Sequence, residues 1–141
     1  MRIMIVEDEY LVARDLERIL RLAGHEIIGP AATAESAYGL AGETKLDLAL
    51  LDIRLSDGST GPAVAPRLWD RHRVPSLFVS GIPTDNPAYT HAALGALTKP
   101  VSSLVLLRSI EVTRRIMSGE PLWRHDVPAE LRLFGQWVSD R

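Results

Sequence analysis

The sequence predicts an open α/β fold in which a parallel sheet is covered by helices. Short apolar runs alternate with amphipathic stretches along most of the 141 residues, the pattern of repeated βα units. Several of these runs end in acidic, hydroxyl or lysine residues, and in an open parallel sheet ligands bind outside the carboxyl ends of the strands. A chain of this length supports one compact core, so a single domain (residues 1–119) with a tail (residues 120–141) is expected.

The strand candidates are residues 2–6, 26–29, 47–52, 76–80 and 96–98. The third and fourth are short, apolar and bounded by turn residues, as buried parallel strands are. Helix candidates fall between them. In the first, Leu11 or Val12, Leu16, Ile19, Leu20 and Ala23 recur at helical spacing, Glu17 and Arg21 can pair one turn apart, and Gly24 stands where a C-cap belongs. Thr33, with Ser36 three residues on and Glu35 in the first turn, opens a second, Ala-rich helix through about Glu43. A third occupies roughly residues 59–71, where Pro62 fits a first turn but Pro66 would kink the helix or push its start later. A short fourth is expected over about residues 85–94, near Pro83 and Pro87.

The fifth predicted helix, residues 101–117, carries two apolar stripes. Val101, Val105, Val112 and Ile116 make one, and Leu106, Leu107, Ile110 and Met117 the other, so a second burial partner is implied. After Gly119 and Pro121 come Leu122 and Trp123, then a last helical stretch from about Pro128 with Leu131, Leu133, Phe134, Trp137 and Val138. This tail either packs on the fifth helix or supplies a dimer or partner surface.

Composition excludes several classes. An apolar fraction of 46% with 24% charged residues is ordinary for a globular protein, and no apolar run is long enough to span a bilayer. A net charge of −2 and a pI near 6.1 give no pull toward nucleic acid, and no basic patch goes beyond Arg114 and Arg115, so no direct DNA binding is expected. The absence of cysteine removes disulfides, thiolate zinc sites and cysteine nucleophiles. The first strand candidate runs straight into Glu7 and Asp8, unlike a secretory signal, so the cytoplasm is the expected compartment. His25, His72, His91 and His125 lack metal-ligand spacing.

The strand ends carry the chemistry. Strand one ends in Glu7, Asp8 and Glu9, strand three in Asp52, strand four in Ser80 and Gly81, and strand five in Lys99 and Pro100. Carboxylates from Glu7, Asp8 and Asp52 held together repel one another unless a divalent cation neutralises them, and oxygen-only ligands suit Mg2+ or Mn2+. Asp52 can then act as a nucleophile toward phosphorus, with the Ser80 hydroxyl, the Gly81 amide and the Lys99 ammonium meeting the charge of the transferring group. Each piece has a plainer use: Asp8 or Glu9 as a helix cap, Asp52 or Ser80 in turns, Lys99 as a solvated charge. Asp57-Gly58 reads as turn chemistry alone.

The runs Ile5-Val6-Glu7-Asp8-Glu9, Leu50-Leu51-Asp52-Ile53-Arg54-Leu55 with Asp57-Gly58, Phe78-Val79-Ser80-Gly81 and Leu97-Thr98-Lys99-Pro100 together resemble the response-regulator receiver domains of two-component signalling. The resemblance covers roughly residues 1–119. It implies a flavodoxin-like, doubly wound sheet of five parallel strands in the order 2-1-3-4-5, flanked by five helices. It further implies Asp52 as phosphoacceptor, and Asp8, Asp52 and the Arg54 main-chain carbonyl as Mg2+ ligands, with Glu7 reaching the metal through water. Ser80 is then the switch hydroxyl and Lys99 the phosphate partner, with a cis Lys99-Pro100 bond. The phosphoryl group would come from a sensor histidine kinase or a histidine phosphotransfer protein.

One position departs from that family. Receivers usually carry an aromatic residue three positions before the lysine, whose rotamer reports phosphorylation; here that residue is Ala96, which has no rotamer to switch. The signal must then travel by another element, for which the loop over residues 81–88 is a candidate, unless it is only a rigid connector. The leading expectation is a single-domain, non-enzymatic switch acting through partners, because the tail is too short for a DNA-binding or enzymatic output domain. A homodimer through the fourth helix, fifth strand and fifth helix, or through the tail, is a further possibility. A phosphate sink or relay shares the same chemistry. A pure interaction module that has lost phosphorylation and a magnesium-dependent phosphohydrolase rank lower, the latter because Arg54 stands where that chemistry has a second aspartate.

Overall fold

The structure is a computed structural model, which describes residues 1–55, 57–58, 61–82, 93–135 and 138. Its strands are β1 (Arg2–Val6), β2 (Glu26–Ala31), β3 (Leu48–Leu51), β4 (Ser76–Ser80), β5 (Gly95–Thr98) and β6 (Arg132–Leu133). Its α-helices are α1 (Tyr10–Leu22), α2 (Ala34–Glu43), α3 (Gly61–His72) and α4 (Ser103–Ser118). The six strands form one sheet in the order β2-β1-β3-β4-β5-β6, with every neighbouring pair parallel except β5 and β6. The doubly wound order expected for the first five strands is therefore present.

Alternation along the strands builds a two-sided core. Ile3, Ile5, Leu48, Leu50, Leu77, Val79 and Leu97 face one side, where they pack with Ala13, Leu16, Ile19 and Leu20 of α1 and Leu106, Ile110 and Val112 of α4. Met4, Val6, Ala49, Leu51, Phe78 and Ala96 face the other, with Ala37 and Ala41 of α2 and Val64, Ala65 and Leu68 of α3. Both faces of β3 and β4 are buried, which is why β3 is apolar throughout and β4 is apolar between its terminal serines, rather than alternating.

Local signals act where the sequence places them. Thr33 caps α2, its side chain accepting from the Ser36 amide at 3.1 Å. Gly24, at φ +93°, follows the end of α1, and the His25 amide bonds back to the Leu20 carbonyl. Gly119 closes α4 in the left-handed region. Pro66 lies inside α3, which nonetheless begins at Gly61. Gly58, at φ +83°, makes the turn expected beside Asp57, its amide donating to Leu55.

One expectation is revised and one lies largely outside the described residues. The fourth predicted helix, over residues 85–94, lies outside the described residues except for Ala93 and Leu94, which are not helical; four α-helices are seen among the described residues. The helix expected from Pro128 does not form across the described residues. The tail instead makes a short 3₁₀ turn at Arg124–Asp126 and then β6, a sixth strand antiparallel to β5. The edge of β5 offers unpaired backbone groups that a nearby extended segment satisfies, and this outweighs a helical spacing of apolar residues. With a period of two, Leu131 and Leu133 fall on the α1/α4 side and Phe134 on the α2/α3 side.

Leu122 and Leu131 of the tail are buried in the cluster that holds residues of both α4 stripes, Leu106, Ile110 and Val112, while Met117 is exposed. Arg115 pairs with Asp126 at 3.1 Å, and the Arg108 guanidinium donates to the His125 carbonyl at 3.3 Å. Among the described residues, no helix is long and apolar enough to cross a membrane.

Candidate functional site

Glu7, Asp52, Gly81 and Lys99 each lie one step beyond a strand, and Ser80 is the last residue of β4. The Glu7 amide donates to Ala31 at 2.9 Å, the Asp52 amide to Val6 at 2.9 Å and the Lys99 amide to Ser80 at 2.8 Å. These bonds extend the β1–β2, β1–β3 and β4–β5 ladders past the strand ends, and with the β3–β4 pairing they bring residues 92 positions apart in the chain together on one edge.

There the Lys99 ammonium donates to the Glu7 carboxylate and, at 3.3 Å, to Asp52 Oδ2. A carboxylate oxygen each of Glu7, Asp8 and Asp52 lies within 4.8 Å of the other two. Glu7 is buried, Asp52 half-buried and Asp8 exposed, so the cluster opens toward solvent through Asp8. Glu9 is the N-cap residue of α1, yet its side chain makes no capping hydrogen bond. The acidic run is therefore not accounted for by helix capping. The Arg54 amide, two residues after Asp52, approaches Asp52 Oδ1 at 3.4 Å. Ser80, buried at the end of β4, lies opposite Thr98 of β5 and accepts from the Ile82 amide at 3.3 Å. Gly81 is exposed just beyond it, and the Lys99-Pro100 bond is cis.

Burial drives the electrostatics. Removal from water, and then the neighbouring Asp52 carboxylate, push Glu7 up to about 7 against the opposing pull of Lys99. Burial pulls Lys99 down, but Glu7 and Asp52 outweigh it and hold the ammonium above its ordinary value. Glu7 Oε2 is buried with no hydrogen-bond partner among the described residues. An orphaned carboxylate oxygen beside two further carboxylates is a donor set that fits a hard divalent cation.

Two features of the site were not anticipated from the sequence. The direct pairing of Lys99 with Glu7 joins residues on β5 and β1, and nothing local in either segment signals it. Gly61 opens α3 so close to the site that an added Cβ would stand 2.7 Å from the Asp52 carbonyl oxygen and 2.9 Å from the Phe78 ring. Its amide donates to Ile53 at 2.8 Å, which ties α3 to the segment after Asp52. The only sequence signal was a glycine at a helix start.

Residues 3–111 match the response regulator receiver domain family. Among curated proteins, the chain is 42% identical over 82 residues to the phyllosphere-induced regulator PhyR of Methylorubrum extorquens, a match covering 57% of this chain and 31% of PhyR. It is 30% identical over 114 residues to the transcriptional regulatory protein PdtaR of Mycobacterium tuberculosis, covering 79% of this chain and 55% of that protein. The matches thus span about a third to a half of these relatives. Among solved structures, the signal receiver domain of a modulated diguanylate cyclase from Desulfovibrio desulfuricans superimposes with a TM-score of 0.72 at 32% identity, over 79% of this chain and 91% of that one. With the parallel order β2-β1-β3-β4-β5, the acidic cluster at the strand ends and a family match over most of its length, this chain belongs to the response regulator receiver domains of two-component signalling.

Proposed function

We propose that this receiver accepts a phosphoryl group onto Asp52 from a phosphohistidine on another protein, a sensor histidine kinase or a histidine phosphotransfer protein, and signals by protein contact. The observation that carries the reading is the Lys99 ammonium held 3.3 Å from Asp52 Oδ2 at the open edge of the sheet. An Asp52 oxygen attacks phosphorus, the P–N bond to the donor imidazole breaks, and the imidazole leaves with a proton from solvent. The product is an aspartyl phosphate.

Lys99 turns from Glu7 toward a phosphoryl oxygen, a small movement because both carboxylates already share its ammonium. Ser80 Oγ is an acceptor in its contact with Ile82, so its hydroxyl hydrogen is available to a second phosphoryl oxygen. Asp8, Asp52 and the Arg54 main-chain carbonyl would hold Mg2+, with Glu7 reaching it through water. When bound, the ion neutralises the clustered carboxylates and the incoming phosphoryl charge. Gly61 keeps the Asp52 segment packed against α3.

Incubation with acetyl phosphate and magnesium, followed by intact-mass analysis, tests the proposal. A gain of about 80 Da on wild type and none on Asp52→Asn is the expected result. Equal acid-labile, hydroxylamine-sensitive labelling of both would remove Asp52 from the role.

A further inference from the structure

We infer that the tail strand β6 is a reversible clasp on the edge of β5, released when the Asp52 site is phosphorylated, with Phe134 as its movable anchor. The inference rests on the phosphoacceptor reading above. β5 is a single strand of four residues with the site at one end and the clasp along its side: Lys99 follows Thr98 directly, while Gly95 pairs with Leu133 and Ala96 with Arg132. A pull on Lys99 therefore acts on the strand that holds the tail.

The contact is built for this segment. A Cβ at Gly95 would lie 2.5 Å from the Arg132 carbonyl oxygen, so the two backbones approach to a distance that only glycine permits. The Phe134 amide extends the ladder by donating to Leu94 at 2.9 Å, which sets Phe134 opposite Leu94 and on the same face of the sheet as Ala96. Phe134 is 4% exposed and belongs to the buried cluster that contains Ala96 and Phe78. The alanine methyl at 96 leaves room on that face for an aromatic ring, and the tail supplies one.

The clasp is also short. Its backbone hold is two paired residues and one further hydrogen bond, and opening it also withdraws the buried Leu131 and Phe134 side chains. The docked tail accompanies a site in which Lys99 is engaged by Glu7 and Asp52, so the alternative state of the switch is the undocked one. Release bares the β5 edge and the apolar space under Phe134.

Hydrogen exchange read by mass spectrometry on the peptide spanning residues 129–135 tests this, with acetyl phosphate and magnesium present or absent and intact mass followed in parallel. Exchange at least fivefold faster in the labelled protein is expected. Unchanged exchange in protein whose mass shows the phosphoryl group would overturn the clasp and leave the phosphoacceptor reading standing. Failure of acetyl phosphate and of histidine kinases to change the mass would instead remove that reading, and the coupling with it.

Gly95→Ala supplies the reciprocal measurement, because coupling between two sites acts equally in both directions. It should speed exchange of the tail without phosphorylation and lower the half-saturating concentration of beryllofluoride, a phosphoryl mimic, at least threefold by fluorine NMR. A detached tail with unchanged beryllofluoride affinity would also overturn the coupling. If the variant does not fold, the wild-type exchange measurement decides alone.

Discussion

The Lys99 ammonium at the end of β5 is hydrogen-bonded to the buried Glu7 carboxylate at the end of β1, three strands away in the sheet, and also to Asp52, just past the end of β3. The pair balances a charge that would otherwise be stranded among three carboxylates. Lys99→Ala should therefore lower the stability of the metal-free protein by about 1–3 kcal/mol above pH 7, the cost of a buried acceptor left without its partner. Urea denaturation checks this, and the double variant with Glu7→Gln should regain most of the loss.

The same burial gives the metal-free protein a pH dependence. Glu7 is raised from 4.5 to about 7, so between these values the folded state binds more protons than the unfolded chain. Its contribution to stability is full below about pH 4.5 and is lost as the pH rises through about 7. Urea midpoints in chelator should fall across that window in wild type, and the slope should flatten in Glu7→Gln. Magnesium should stabilise more strongly as the pH rises, since it competes with the same proton.

Asp8 separates metal binding from folding because its side chain is exposed. Asp8→Asn should leave the urea midpoint within about 0.5 kcal/mol of wild type, while weakening magnesium tenfold or more. Calorimetric titration measures the second effect, and an unchanged affinity would take Asp8 out of the ligand set.

Gly61 is a positioning residue. Gly61→Ala places a methyl 2.7 Å from the Asp52 carbonyl oxygen and against the Phe78 ring, so the backbone on one side must give. A loss of about 1–3 kcal/mol is expected from overpacking. Phosphorylation by acetyl phosphate should slow at saturating magnesium while magnesium affinity changes little, a split that a purely structural defect would not produce.

The tail contributes to the core as well as to the edge. A chain ending at Gly119 loses Leu122, Leu131 and Phe134, each buried and worth about 1.5–3 kcal/mol. It also leaves the outer edge of β5 unpaired. Thermal melting should show a marked fall, and light scattering should show association through the bared edge.

Most of the parallel sheet was legible in the sequence because parallel strands covered on both faces must be apolar throughout, as Leu48–Leu51 and Ser76–Ser80 very nearly are. The site residues were legible for a related reason: Glu7, Asp52, Ser80 and Lys99 are polar groups placed where apolar runs stop, and strand ends are where such a fold exposes its chemistry. The tail was misread because Leu131, Phe134 and Val138 satisfy a helical spacing as readily as a strand, and the edge that decides between them is formed by residues 95–98, far away in the chain.

Local pattern and residue type were enough to read the parallel layers, the helix ends at Thr33 and Gly24 and the polar groups set at the strand ends. Which of those groups touch depends on the assembled sheet. The pairing of Lys99 with Glu7, the packing of Gly61 on Asp52 and the seating of Phe134 on the face of Ala96 are relations across the sheet. They are set by strand order and register, which place residues side by side without regard to their distance in sequence.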